Sequence, residues 1–420
     1  MNVVAMLEIL LGEIQDKLRD VPAIPRNITF PAVEKKIKVA VGMRRTGKTS
    51  FMFQTIQSLL AKKIPASQIL YLNFEDDRLM PLTREKAAKL IEAFYAIYPE
   101  NHERRCYLFL DEIQMVPDWP VIVRRFYDTK NTDIYLSGSS AKLLSKEIHT
   151  SLRGRSLATE IWPLSFQEYL VAKDIQLSTD LFSQKKQDQL KKYFCDYLIS
   201  GGFPEIIHFN SELRIKTLQE YIEVTLYRDI VERHGVKHVA LLKYLIFFII
   251  QNSGSSFSIH KFYHDVKTQG YKITKDILYE YVRYIEDAYL AFSVGLYDRS
   301  IRKIQTNPKK MYAIDTGLIC ALTLNTQFDF GKLFENVVYV DLKRQGYQVN
   351  YYLTKERYEI DFVAQSLQGD KKLIQVCWDI LDEETLAREE RALNIAKQEL
   401  KMDGEIITLH HYLKNRVKPW

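Results

Sequence analysis

The sequence predicts an α/β protein: a parallel sheet wrapped by helices, then a helical region, then a second and smaller α/β domain. Three observations predict it. Between residues 36 and 161, short apolar runs alternate with helical stretches, the rhythm of a parallel sheet flanked by helices. A glycine-bearing turn joins the first of these runs to the helix that follows it. Beyond residue 333, a helix leads into a further set of apolar runs. The chain has 420 residues, too many for one ordinary core, so two or three domains are expected. Hydrophobic residues make up 46% and charged residues 27%, a balance that excludes a disordered chain.

The elements follow in order. Residues 1–30 read as a short helix and a linker carrying Pro22 and Pro25. Residues 31–164 form the sheet, with strands at 37–41, 69–74, 106–110 and 133–136 and a fifth at 158–162. Residues 165–238 are helical, with amphipathic stretches at 191–198 and 218–233. Residues 239–316 read as three helices, the third over 274–292, then β pieces at 293–297 and 310–314. The segment between the β pieces holds Arg299, Arg302, Lys303, Pro308 and Lys309, and Lys310 follows. Three helices and a basic hairpin predict a winged helix. Residues 317–420 hold a helix from 333, strands at 349–353, 359–363, 372–377 and 405–409, and a helix before the last strand.

Composition narrows the function classes. Against 59 basic residues stand 53 acidic ones, a net charge of +6. Spread over this surface, that charge permits nucleic-acid binding without demanding it. The four cysteines, Cys106, Cys195, Cys320 and Cys377, have no CxxC spacing, so neither a zinc knuckle nor a disulfide framework is expected. His260 and His264 stand four apart but form no HExxH motif, which argues against a metal pair. The longest apolar run, 244–250, is far shorter than a membrane span. No signal peptide is read, because Glu8, Glu13 and Asp16 interrupt the N-terminal apolar patch. The expectation is a soluble cytoplasmic protein with no membrane partner.

The chemistry is concentrated in the first sheet. Gly42-Met-Arg-Arg-Thr-Gly47-Lys48-Thr49 fits the phosphate-binding loop GxxxxGK[ST]. Its backbone N–H groups cradle phosphate oxygens, and Gly42 and Gly47 permit the backbone angles and the close approach. The helix beginning near Lys48 points its positive end at the phosphates. Lys48 reaches the β and γ phosphates, and Thr49 offers its hydroxyl to Mg²⁺. The stretch as a whole, with Arg44, Arg45, Thr46 and Ser50, is expected to line ATP. Residues 106–110 form a buried strand that delivers Asp111 and Glu112 to its C-terminal end, where ligands of parallel sheets bind. Asp111 is expected to hold Mg²⁺, and Glu112 to orient and polarise the attacking water.

Three further motifs lie downstream. The strand at 133–136 ends in Ser137-Gly-Ser139-Ser140, where Ser139 or Ser137 can touch the γ phosphate. In Ser151-Leu-Arg153-Gly-Arg155, Arg155 or Arg153 can neutralise transition-state charge, from this subunit or a neighbour. In Ser200-Gly201-Gly202-Phe203-Pro204, the glycines and proline can bring backbone close to an adenine ring, or simply turn the chain between helices.

Together these motifs, with Leu-Asp-Glu-Ile-Gln before Trp119 and Pro163-Leu-Ser-Phe166-Gln-Glu168, occur in an order that resembles the prokaryotic putative ATPases of the AAA+ superfamily with a conserved C-terminal domain of unknown function. The resemblance covers nearly the whole chain. It implies a P-loop NTPase core with a parallel sheet, a helical lid, a winged helix and a C-terminal restriction-endonuclease-like domain. It places Ser139 near the γ phosphate and Gly202 and Pro204 on the adenine side. It supplies no substrate.

A nuclease of that fold needs acidic ligands for Mg²⁺ and a lysine that activates water. Glu335 matches the helix acid and Asp361 the first strand acid, but the next strand reads Gln375-Val376-Cys377 where Glu-x-Lys is needed. A degenerate site is therefore expected, in a module that binds DNA or protein. The cations of the wing attract phosphate, whereas Asp276, Glu280, Glu286 and Asp287 on the third helix repel it. The expected function is Mg²⁺-dependent ATP hydrolysis, coupled to double-stranded DNA or a protein partner, in a chain able to form oligomers. The alternatives are a slow ATP-bound switch that presents the C-terminal domain, and an ATP-gated nuclease, which Gln375 and Cys377 argue against.

Overall fold

The computed structural model describes residues 2–20, 24–138, 152, 154–175, 183–323, 327–378 and 383–416. These fall into two compact units, residues 1–161 and 162–420.

The first unit is built on a five-stranded sheet in the order β2-β3-β4-β1-β5, with every neighbouring pair parallel. The strands are β1 (Ile37–Val41), β2 (Ile69–Asn73), β3 (Cys106–Asp111), β4 (Thr132–Gly138) and β5 (Ser156–Glu160). Their near-continuous apolar runs suit a sheet covered on both faces. Helices α1 (Val3–Asp20), α2 (Lys48–Ala61), α3 (Arg84–Ile97) and α4 (Trp119–Thr129) belong to the same unit.

The described part of residues 1–30, read as a helix and linker, packs within this unit. Leu7 is wholly buried in the main core. The segment after α1 is fastened to α2: Gln54 Nε2 donates to the Ile24 carbonyl at 2.6 Å, and Arg26 Nη1 donates to the Thr46 carbonyl at 2.9 Å. Ile28 and Phe30 pack against Ala40, Phe51 and Ile161.

The second unit opens with helices Phe166–Ala172, Gln184–Ser200 and Ser211–Val224. The first starts at a reciprocal cap between Ser165 and Glu168. Helix Val239–Gln251 leads to β6 (Ser256–Phe257), helices Ile259–Thr268 and Lys275–Asp287, β7 (Ala291–Val294) and β8 (Lys309–Ala313). These three strands form an antiparallel sheet in the order β6-β8-β7. The basic segment between β7 and β8 is not a bare hairpin, because Ile301–Thr306 is helical, with Ser300 capping its start. Helices Thr316–Leu322 and Phe330–Arg344 follow. The last sheet has the order β12-β11-β10-β9, built from β9 (Gln348–Leu353), β10 (Glu359–Gln365), β11 (Lys371–Cys377) and β12 (Gly404–Thr408). Helix Glu383–Leu400 joins β11 to β12, which pair in parallel.

The glycine pair Gly201–Gly202 has a packing role here. Asp315 accepts the Gly202 N–H at 2.8 Å and the Gly317 N–H at 2.9 Å, so one carboxylate ties the end of helix Gln184–Ser200 to the start of Thr316–Leu322. Burial pushes the Asp315 carboxyl up to about 6, against the pull of these backbone donors. Gly201 has φ +77, and a Cβ there would lie 1.9 Å from Asp315 Oδ1. Gly201→Ala should therefore destabilise the second unit by about 3 kcal/mol, from left-handed strain and overpacking together. Urea unfolding followed by tryptophan fluorescence measures the loss.

Candidate functional site

The turn between β1 and α2 is shaped by its glycines. Gly42 has φ +152, and a Cβ there would meet the Ile161 carbonyl at 2.3 Å. Gly47, at φ 93, precedes α2 without any side-chain cap hydrogen bond. Arg45 is left-handed at φ 67. Thr46 is buried and donates to the Met43 carbonyl at 2.9 Å, holding the turn closed. Lys48 is also buried, and its ammonium donates to the carbonyls of Gly42 and Met43 at 3.1 and 3.0 Å. Arg44 pairs with Glu75 at 3.2 Å. Ser50, in the first turn of α2, is half-buried.

Asp111 ends β3 beside this turn and is fully buried. Its Oδ2 accepts from Thr49 Oγ1 at 2.8 Å and from the Tyr71 hydroxyl at 2.7 Å, while its Oδ1 accepts from Ser137 Oγ. Three hydroxyls from α2, β2 and β4 thus compensate one buried anion. Burial first, and the Asp111 charge second, raise Tyr71 far above an ordinary phenol, so it remains a donor. Ser137 Oγ also accepts the Glu112 N–H at 3.0 Å, so this serine aligns both acids and faces the strand ends rather than solvent.

Glu112 is left-handed at φ 51 and nearly buried. Burial raises its carboxyl above the ordinary value, the Lys48 charge opposes that rise, and Asp111 adds to it. Gln114 Nε2 donates to Glu112 Oε2. Among the described residues, Gln114 Oε1 accepts nothing. The donor set suits Mg²⁺, which takes oxygen ligands: a hydroxyl oxygen and a carboxylate oxygen already meet at the strand end.

The structure thus brings together Gly42, Arg44, Arg45, Thr46, Gly47, Lys48, Thr49, Ser50, Asp111 and Glu112. Arg155 is not among them. Its carbonyl accepts the Ile37 N–H at 2.8 Å, which puts it where β1 begins, at the opposite end of the sheet from the turn. Five residues of strand span about 16 Å. Its guanidinium pairs with Asp128 at 2.6 Å and covers the Tyr127 ring. Within the chain its guanidinium is therefore held away from the turn. Ser139 and Arg153 lie outside the described residues. Gly202 and Pro204 lie in the second unit, where Gly202 serves the Asp315 clamp.

In the last sheet, Glu335, Asp361 and Gln375 do come together. Gln375 is committed: its Oε1 accepts the Asp361 N–H at 3.2 Å and its Nε2 donates to Glu389 at 2.6 Å. No helix among the described residues is long and apolar enough to cross a membrane. The four cysteines are free thiols.

Sequence reading missed Tyr71, Gln114 and Arg26. Tyr71 looks like one more apolar residue of a buried strand, and only its register against Asp111 reveals its hydroxyl's role. Tyr71→Phe should lower the stability of the first unit by about 1.5–3 kcal/mol, the worth of a hydrogen bond to a charged group. Chemical denaturation of wild type and variant in parallel provides the check.

Residues 34–170 match a family model described as an AAA domain, and residues 191–329 match one described as a domain of unknown function, DUF8612. The uncharacterized protein MJ1544 of Methanocaldococcus jannaschii is 36% identical over 385 residues, which take in 91% of this chain and 83% of that one. An uncharacterized protein of Haemophilus influenzae is 31% identical over 346 residues, 82% of this chain and 83% of its own. Among solved structures, the Walker-type ATPase PABY2304 of Pyrococcus abyssi aligns with a TM-score of 0.43 and 14% identity, over 73% of this chain and 99% of that one. The chain belongs to the family of AAA-type P-loop ATPases, followed by a domain of unknown function, that includes MJ1544.

Proposed function

We propose that the chain binds ATP with Mg²⁺ at residues 42–50 and hydrolyses it. The observation that carries this reading is the meeting of three side chains at the end of β3. Thr49 and Asp111 touch at 2.8 Å, and Glu112 stands beside the Lys48 charge. In this reading the backbone of the turn and the start of α2 hold the phosphates. Lys48 exchanges the carbonyls of Gly42 and Met43 for β and γ phosphate oxygens. Thr49 and Asp111 hold Mg²⁺, which when bound supplies positive charge against the phosphate oxygens. Glu112 aligns the attacking water and accepts its proton. Ser139 contacts the γ phosphate. Arg155 acts from a second copy of the chain.

The partner we propose is double-stranded DNA or another protein, met by a winged helix at residues 239–316 and by the C-terminal domain. Arg299, Arg302, Lys303 and Lys309 are exposed there, but Lys303 pairs with Asp298 and Lys310 is buried. The wing therefore offers fewer cations than its sequence suggests. One observation favours a second reading, a slow switch: Gln114 holds Glu112 by its carboxylate, the group that must engage water.

Lys48→Ala should weaken ATP binding by about 10–100-fold, because it removes charge-assisted hydrogen bonds to phosphate. Glu112→Gln should keep binding and cut phosphate release by about 10²–10³-fold. Steady-state phosphate release, with and without double-stranded DNA, is the assay. Wild-type turnover above the Glu112→Gln blank supports the enzyme, and stimulation by DNA supports that partner. Turnover at the blank level in both conditions leaves the switch. Undiminished turnover in Glu112→Gln would remove that residue's role.

A further inference from the structure

In the second unit one buried lysine meets three carboxylates, of which Glu335 and Asp361 are largely buried and Glu359 is 40% exposed. Lys310 comes from β8, Glu335 from helix Phe330–Arg344, and Glu359 and Asp361 from β10. The Lys310 ammonium lies 2.8 Å from Glu335 Oε1, 2.9 Å from Glu359 Oε1 and 3.6 Å from Asp361 Oδ1. Its side chain is 3% exposed. The Tyr312 hydroxyl donates to the same Glu335 oxygen at 2.6 Å, and the Val376 N–H donates to Asp361 Oδ2 at 2.9 Å. The pairing of β10 with β9 shifts register between Ile360 and Val363, which turns this stretch of β10 locally.

A nuclease-like reading of this domain requires Mg²⁺ on Glu335, Asp361 and an acid at residue 375. The residues do not fit. Position 375 is Gln, already bound to Glu389 and to the Asp361 backbone. A magnesium ion on these carboxylates would sit about 2.0–2.1 Å from each oxygen. The ammonium occupies the same space at contact distance. Among the described residues there is no group of three acidic, histidine or cysteine side chains arranged to hold a metal.

We infer that Lys310 is the resident cation of this carboxylate cluster: its ammonium takes the place of a divalent metal and pins the three-stranded sheet to the C-terminal sheet. Burial works against its charge, yet Glu335, Asp361 and Glu359 outweigh burial and hold its proton more firmly than an ordinary lysine's. Lys310 reads in the sequence as one cation of a basic wing. In the fold it is withdrawn from any nucleic acid and spent on the cluster.

The test counts bound Mn²⁺ by the loss of the free-ion EPR signal, in the nucleotide-free full chain. Wild type should bind no Mn²⁺ that depends on Asp361, so Asp361→Asn should leave the count unchanged. Lys310→Ala should gain one equivalent, and Lys310→Ala with Asp361→Asn should lose it again. Mn²⁺ should also raise the melting temperature of Lys310→Ala and leave that of wild type unmoved. An Asp361-dependent Mn²⁺ ion in wild type would overturn the inference, because lysine and metal would then share the site. A folded Lys310→Ala that gains no ion would overturn it too, because the cluster would then be no cation site. The wild-type comparison with Asp361→Asn decides the question even if Lys310→Ala does not fold.

Discussion

The carboxylate of Asp111 lies wholly out of water at the end of β3, and hydroxyls from Thr49, Tyr71 and Ser137 converge on it. An anion in that position must be compensated, or the strand end would not stay folded there. The compensation ties α2, β2 and β4 to β3 at a single point. The phosphate-binding turn is therefore fixed relative to both acids before any nucleotide arrives. Ser137 extends the same network to the Glu112 backbone, and the left-handed backbone at Glu112 aims its side chain toward Lys48. Strain at Glu112 and Arg45 is held in place by the packing around it, as is common where geometry serves chemistry.

The second unit repeats the principle with different partners. Asp315 is buried among backbone donors and locks two helix ends together through Gly202 and Gly317. Lys310 is buried among carboxylates and links two sheets. Neither charge faces solvent, so neither is available for a surface partner. The basic segment between β7 and β8 holds the helix Ile301–Thr306 and so differs from a plain hairpin. In that segment Arg299, Arg302 and Lys309 are exposed, and Lys303 pairs with Asp298.

Much of this was legible in the sequence wherever function demands a fixed string of neighbours. The turn from Gly42 to Thr49 and the strand ending in Asp111-Glu112 are contiguous, so spacing alone located them. Strand boundaries were read to within a few residues, since apolar runs end where burial ends; β5 begins at Ser156, two residues earlier than expected. What escaped is whatever depends on register or on distant chain. Tyr71 reaches Asp111 across adjacent strands, with β2 and β3 aligned as Asn73 opposite Asp111. Lys310 finds its acids at positions 335, 359 and 361. Arg155 follows a glycine turn that resembled a catalytic motif, but strand direction sends it to the far end of the sheet. The glycines at 201 and 202 looked fit for a ligand because close approach was needed, and the close neighbours within their own unit are Asp315 for Gly201 and the Leu164 backbone for Gly202.

The central claim is that Asp111 is held ready for a metal that accompanies the nucleotide. Titration of a fluorescent ATP analogue, with Mg²⁺ and with EDTA, into wild type and Asp111→Asn tests it most directly. The account predicts that Mg²⁺ tightens binding to wild type, that Asp111→Asn loses most of that gain, and that both proteins bind the metal-free nucleotide alike. An Mg²⁺ effect of equal size in Asp111→Asn would contradict it.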